Sequence, residues 1–120
     1  PELAAETYSA LIDKIGCLDI VVLGIGEDGH TASLFPNNPA LDNGHAVVPV
    51  FDAPKPPAER VSLGLTTIQT AAQRIVLVSG SGKREALAQL KQGMPLPVAR
   101  IGPSHWFVDE AAAYNNIQGQ

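Results

Sequence analysis

Asp19-Ile20-Val21-Val22-Leu23 runs directly into Gly24-Ile25-Gly26-Glu27-Asp28-Gly29-His30-Thr31-Ala32-Ser33-Leu34-Phe35-Pro36, and the reading of this junction decides the fold. After Asp19 the run is short, β-branched and unalternating, which predicts a strand buried on both faces, as in a parallel sheet. Three glycines within six residues then permit positive φ and close approach of a backbone or ligand, and an acid, a histidine and a hydroxyl follow at once. Loops beyond the carboxyl ends of parallel strands are where α/β proteins place their chemistry. A structural turn with a merely hydrogen-bonded histidine is the plainer reading. Asp28, two residues before His30 in such a loop, favours a general base beside a carboxylate.

Gly24-x-Gly26-x-x-Gly29 also fits the dinucleotide pattern G-x-G-x-x-G. That pattern must open a crossover helix of roughly 10 or more residues. Pro36 and Pro39 leave only the segment from about His30 to Phe35, so the context argues against a nicotinamide or flavin site.

A second junction repeats the first. Arg74 to Val78 reads as another buried strand, Ser79-Gly80-Ser81-Gly82 as a turn, and Lys83 to Lys91 as a helix with Leu87 and Leu90 facing inward. A glycine-serine turn entering a helix presents N–H groups and the positive helix end to an anion, and Lys83 adds a point charge. A lysine at a helix start is slightly unfavourable by itself, so a bound anion explains its place better than solvation does. The turn is not a nucleotide P-loop, which would need glycine at Leu77 and a hydroxyl at Arg84.

Between and around these junctions the pattern is scaffold. Glu2 to Ile15 places Leu3, Tyr8, Leu11, Ile12 and Ile15 near one helical face, expected to pack on the sheet, and Gly16 suits the stop. Asn37 to Gly44 is turn chemistry, with His45 solvent-exposed or locally bonded. Ala46 to Phe51 reads as a strand confined by Pro49 to an edge or bulge, and Asp52 to Pro57 as a proline-stiffened strap able to wall a cleft. Arg60 to Leu65 reads as a strand, Thr66-Thr67 as the cap of a helix through Ala72, Val98 to Ile101 as extended, and Trp106 to Val108 as a last strand closed by Asp109. His105 beside Trp106 reads as packing.

The run Gly24 to Pro36 resembles the signature of the 6-phosphogluconolactonases, within a wider group that includes the glucosamine-6-phosphate deaminases and isomerases. Further matches follow in order: Ala53-Pro54-Lys55-Pro56-Pro57 leading to Glu59-Arg60-Val61-Ser62-Leu63, then Val78 to Lys83, then Trp106-Phe107-Val108-Asp109-Glu110-Ala111-Ala112. The resemblance covers nearly the whole chain. It implies an α/β three-layer, Rossmann-like, mainly parallel sheet and hydrolysis of 6-phospho-D-glucono-1,5-lactone to 6-phosphogluconate, without a metal or other cofactor.

In that reading His30 takes the proton of the attacking water and Asp28 orients or charge-stabilises it, or holds a substrate hydroxyl. Gly24, Gly26 and Gly29 let backbone N–H groups near the carbonyl; Ser79, Gly80, Ser81, Gly82 and Lys83 hold the phosphate, with Arg60 a further candidate for the same anion. A deaminase of the group would carry asparagine, an acid and proline where Leu34-Phe35-Pro36 stand. That enzyme, and a non-enzymatic module binding a sugar-phosphate effector, remain alternatives.

The resemblance also implies that residues 1–114 form the C-terminal half of a longer domain, with residues 115–120 a flexible tail. The missing N-terminal half would then be a partner, bringing a glycine-serine-threonine phosphate loop and an acid-arginine motif. The chain holds 120 residues at a net charge of −4, which argues against nucleic acid, and no apolar run approaches the ~18 residues of a membrane span. Cys17, the single cysteine, rules out an internal disulfide, fits a reducing cytoplasm, and reads as a small buried residue.

Overall fold

In a computed structural model of the chain, which describes residues 1–113, the apolar run after Asp19 forms strand β1 (Ile20–Leu23). Upstream lies helix α1 (Glu2–Ile15), stopped by Gly16 at φ 81°, whose N–H returns to the Ile12 carbonyl at 3.0 Å. Downstream come β2 (Val47–Val50), β3 (Arg60–Leu63), α2 (Leu65–Thr70), β4 (Gln73–Val78), α3 (Arg84–Lys91) and β5 (His105–Val108). The flexible tail expected at residues 115–120 lies outside the described residues.

Two sheets share the core. The first has the order β1-β4-β5 and is parallel throughout, with Leu23 opposite Val76 and Val78 opposite Val108. The second is the antiparallel pair β2-β3, with Pro49 opposite Val61. Val21, Leu23, Val76 and Val78 face one continuous core that also takes Val48 and Val50 of β2, Leu65 and Ile68 of α2, and Ala86 of α3. The chain is thus α/β with a mainly parallel sheet.

Several elements differ from expectation. β1 and β4 are covered on one face only: Ile20 and Val22 are 56% and 59% exposed and Leu77 50%. Unalternating apolar sequence marks a strand that needs two covered faces, and the described residues cover one. Helix α1 packs on the antiparallel pair instead of the parallel sheet, through Ala5 and Ile12 against Val47, while Leu3, Leu11 and Ile15 point outward. Ser9 Oγ ties it there, accepting from Val47 N–H at 2.9 Å and donating to the Val47 carbonyl at 3.0 Å. Val98 to Ile101, expected extended, instead fall largely in a 3-10 turn over Pro97–Arg100, started by Pro97, whose fixed φ suits a first helical position. Cys17 is exposed.

Arg74 is the buried charge among the described residues. Its side chain donates Nη1 to the carbonyls of Ile68, Gln69 and Ala71 at 3.2, 3.0 and 2.7 Å, and Nε to Pro103 at 3.0 Å. The orphan carbonyls at the end of α2 therefore find a cation in place of water. Arg74→Met in the full-length protein removes these donors and strands buried carbonyls, and is expected to cost about 3 kcal/mol in chemical denaturation. A loss under ~0.5 kcal/mol would mean that water replaces the guanidinium at no cost.

Candidate active site

Because β1, β4 and β5 are parallel, the segments after Leu23, Val78 and Val108 leave the same edge of the sheet. The first of them closes on itself. Thr31, 1% exposed, donates Oγ1 to the Gly24 carbonyl at 2.8 Å, and Gly26 N–H donates to the His30 carbonyl at 2.8 Å. Gly29 N–H donates to the Gly26 carbonyl at 3.0 Å.

His30 and Asp28 are brought together as a pair: Nδ1 of the imidazole lies 2.6 Å from Asp28 Oδ1, which also accepts the His30 backbone N–H at 3.0 Å. Among the described residues only Nδ1 of the ring is hydrogen-bonded, leaving Nε2 open on a side chain 31% exposed. Partial burial raises the Asp28 pKa, but the backbone and ring bonds of His30 and the imidazole's charge outweigh it, so the carboxyl lies below its ordinary 3.8. Asp28 is therefore an anion throughout the neutral range and favours the Nδ1–H tautomer, which turns a basic Nε2 outward.

The glycines have other duties than those expected of them. The N–H groups of Gly26 and Gly29 are used inside the loop, so neither is free to meet a carbonyl. A Cβ on Gly26 would fall 2.0 Å from Cε1 and Nδ1 of His30; this glycine makes room for the imidazole. Gly29 combines φ 85° with a Cβ position only 2.7 Å from Leu96, so backbone and packing both demand glycine. Gly24 contributes its carbonyl to Thr31.

The second segment also departs from the expected cradle. Ser79 Oγ donates to Asp109 Oδ2 at 3.0 Å, and Gly80 N–H donates to both Asp109 oxygens at 3.1 and 3.2 Å. These donors are occupied by a carboxylate of the chain itself, which also accepts Ala112 N–H at 2.9 Å at the start of the helical residues 110–113. Ser81, Gly82 and Lys83 form a 3-10 turn before α3, and Ser81 and Gly82 are exposed. Lys83 Nζ donates to the Ile25 carbonyl at 2.5 Å, fastening the second segment to the first one residue before Gly26. Glu27 lies against Gly82, where an added Cβ would meet Oε1 at 3.0 Å.

Arg60 is committed to the proline strap, with Nε to the Pro57 carbonyl at 2.9 Å and Nη2 to Lys55 at 2.8 Å. Its guanidinium also sits 5.1 Å over the Phe35 ring, whose centroid is 4.5 Å from that of His30. A cleft of about 620 Å³ opens beside Asp28, walled by Phe35, Phe51 and Pro54. Phe35 and Asp109 escaped the sequence reading as site residues. Asp109 had a signal, since an Asp at the start of Glu-Ala-Ala is an N-cap pattern; Phe35 had none beyond its place in the loop. Among the described residues no three His, Cys, Asp or Glu side chains converge as a metal site would require, and no helix is long and apolar enough to cross a membrane.

Residues 1–111 match the family model described as glucosamine-6-phosphate isomerases/6-phosphogluconolactonase. The chain belongs to that family. Among its relatives, the 6-phosphogluconolactonase of Bos taurus is 41% identical over 126 residues, covering 93% of this chain and 49% of that protein. The solved 6-phosphogluconolactonase of Trypanosoma cruzi superposes with a TM-score of 0.80 at 31% identity, over 95% of this chain and 51% of the other. A monomeric glucosamine-6-phosphate deaminase, at 24% identity and a TM-score of 0.74, shares the fold. The chain spans about half the length of the curated relatives it matches.

Asp109 supplies the pH test of this site. Its carboxyl is held below the ordinary 3.8 by the N–H groups of Ala112 and Gly80 and by the Ser79 hydroxyl. A depressed native pKa adds stability that is present above the unfolded value and is lost as pH falls through the native one. Asp109→Asn should therefore melt below the wild type at pH 7, with the gap closing as the pH drops below 3.8. A gap that stays constant with pH would mean that the carboxylate charge contributes nothing.

Proposed function

We propose that the full-length protein hydrolyses 6-phospho-D-glucono-1,5-lactone to 6-phosphogluconate, with His30 as the general base. The observation that carries this reading is the 2.6 Å pair of Asp28 Oδ1 and His30 Nδ1, beside a glycine that makes room for the ring, at the carboxyl end of a parallel strand. With Nδ1–H held by Asp28, Nε2 accepts a proton from water as the water oxygen adds to the lactone carbonyl. Collapse of the tetrahedral adduct breaks the bond to the ring oxygen. The proton on Nε2 passes to that oxygen, which leaves as the C5 hydroxyl, and the new carboxylic acid ionises to solvent. Asp28 stabilises the transient imidazolium.

The phosphate end is assigned to Lys83 and the N–H groups of Ser81 and Gly82, since Asp109 occupies Ser79 and Gly80. Lys83 can serve both the Ile25 carbonyl and an anion, because an ammonium carries three donors. The half of the relatives' length that this chain does not span is the natural cover for the open sheet face at Ile20, Val22, Leu77 and Phe107. It is also the source we infer for the remaining phosphate and hydroxyl contacts. An exposed, unpaired Cys17 suits a reducing cytoplasm.

His30→Ala in the full-length protein should lose about 10²- to 10⁴-fold in lactone turnover while its affinity for 6-phosphogluconate stays within a few-fold of wild type. Turnover corrected for spontaneous hydrolysis is the measurement. Near-normal turnover would refute the assignment of the base.

A further inference from the structure

Hydrogen bonding alone leaves the His30 ring under-determined. The Nδ1 bond to Asp28 fixes one ring atom at 2.6 Å, and the backbone bonds of residue 30 fix its Cα, but the imidazole can still tilt about the line joining these points. The terminal torsion of histidine is broad, with no sharp staggered well to stop that tilt. Gly26 lies against one side of the ring, where an added Cβ would fall 2.0 Å from Cε1 and Nδ1. Phe35, 3% exposed, meets the ring as well, with centroids 4.5 Å apart and planes inclined at 40°. This is the separation at which tilted aromatic rings attract.

Phe35 is itself held from outside the loop. The Arg60 guanidinium lies 5.1 Å over its ring, and Arg60 reaches there from β3 while binding the carbonyls of Lys55 and Pro57 in the proline strap. The sequence of contacts from strap to Arg60 to Phe35 to His30 therefore carries the position of a separate, antiparallel sheet onto the imidazole. Phe35 also walls the 620 Å³ cleft that Asp28 lines.

We propose that Phe35 is a positioning residue for His30, setting the tilt of the imidazole that the Asp28 hydrogen bond leaves free and tying it to Arg60 and the proline strap. The proposal rests on the reading of His30 as the base. Phe35 forms no bond to substrate and moves no proton; it acts by keeping Nε2 aimed, and an aim lost by about an ångström can cost up to about 10²-fold in rate.

The test uses the full-length protein and three variants, with turnover, KM and the NMR signals of the His30 ring as readouts. Phe35→Leu keeps an apolar side chain but removes the flat face; it should lower kcat about tenfold with KM within twofold, and move the His30 ring-proton shifts. Phe35→Tyr keeps the face and should restore most of kcat. His30→Ala runs beside them. If it keeps its turnover, the base assignment falls and the positioning role falls with it. If His30→Ala is dead and a folded Phe35→Leu keeps wild-type kcat, the base stands and the Phe35 proposal is overturned. Should Phe35→Leu fail to fold, the wild-type protein still decides. Nuclear Overhauser contacts between the His30 and Phe35 ring protons are required, and their absence overturns the proposal.

Discussion

The parallel pairing of β1 with β4, and of β4 with β5, is the constraint on which the site depends. Three carboxyl ends at one edge deliver three loops to one place, and the second and third each supply what a neighbour lacks. Lys83 from the second loop holds the Ile25 carbonyl of the first; Asp109 from the third fills the donors of Ser79 and Gly80 in the second. An antiparallel partner in place of either strand would send one of these loops to the far edge and leave a buried carbonyl or an uncapped turn behind.

The loop after β1 satisfies much of its own polar backbone and so spends few donors on whatever binds there. Gly26 N–H, Gly29 N–H and the Thr31 hydroxyl all close the loop upon itself, and Ala32 accepts φ 50°, a conformation costly for a residue with a Cβ. Such self-saturation fixes the Asp28–His30 pair before any substrate arrives, so less ordering remains to be done on binding. The polar groups that stay open, the accepting Nε2 of His30 and the N–H groups of the exposed turn at Ser81 and Gly82, mark where a ligand can gain contacts.

Much of this was legible in the sequence because it follows local rules. Three glycines with Asp28 and His30 after a β-branched run announced a strand-end loop, and the run to Lys83 announced its neighbour. What escaped depends on how side chains are placed in three dimensions. The strand pattern does not show that Arg74 turns back onto the carbonyls of Ile68, Gln69 and Ala71 just before it, and nothing near Phe35 predicts the Arg60 ring contact. The glycine-serine turn reads as a phosphate cradle, yet its donors at Ser79 and Gly80 meet the carboxylate of Asp109, 30 residues on from Ser79. The two-sided burial expected of β1 failed for a different reason. Its apolar residues are matched to two layers, and the described residues supply one, consistent with a chain that spans half the length of its relatives.

The central claim is that the loops after β1 and β4 grip opposite ends of one sugar phosphate. A crystal structure of the full-length protein with 6-phosphogluconate addresses it most directly. The account predicts the phosphate at Lys83 Nζ and the Ser81 and Gly82 N–H groups, and the C1 carboxylate about 3 Å from His30 Nε2. A phosphate lodged instead in the cleft walled by Phe51 and Pro54, or a C1 carboxylate out of reach of His30, would contradict it.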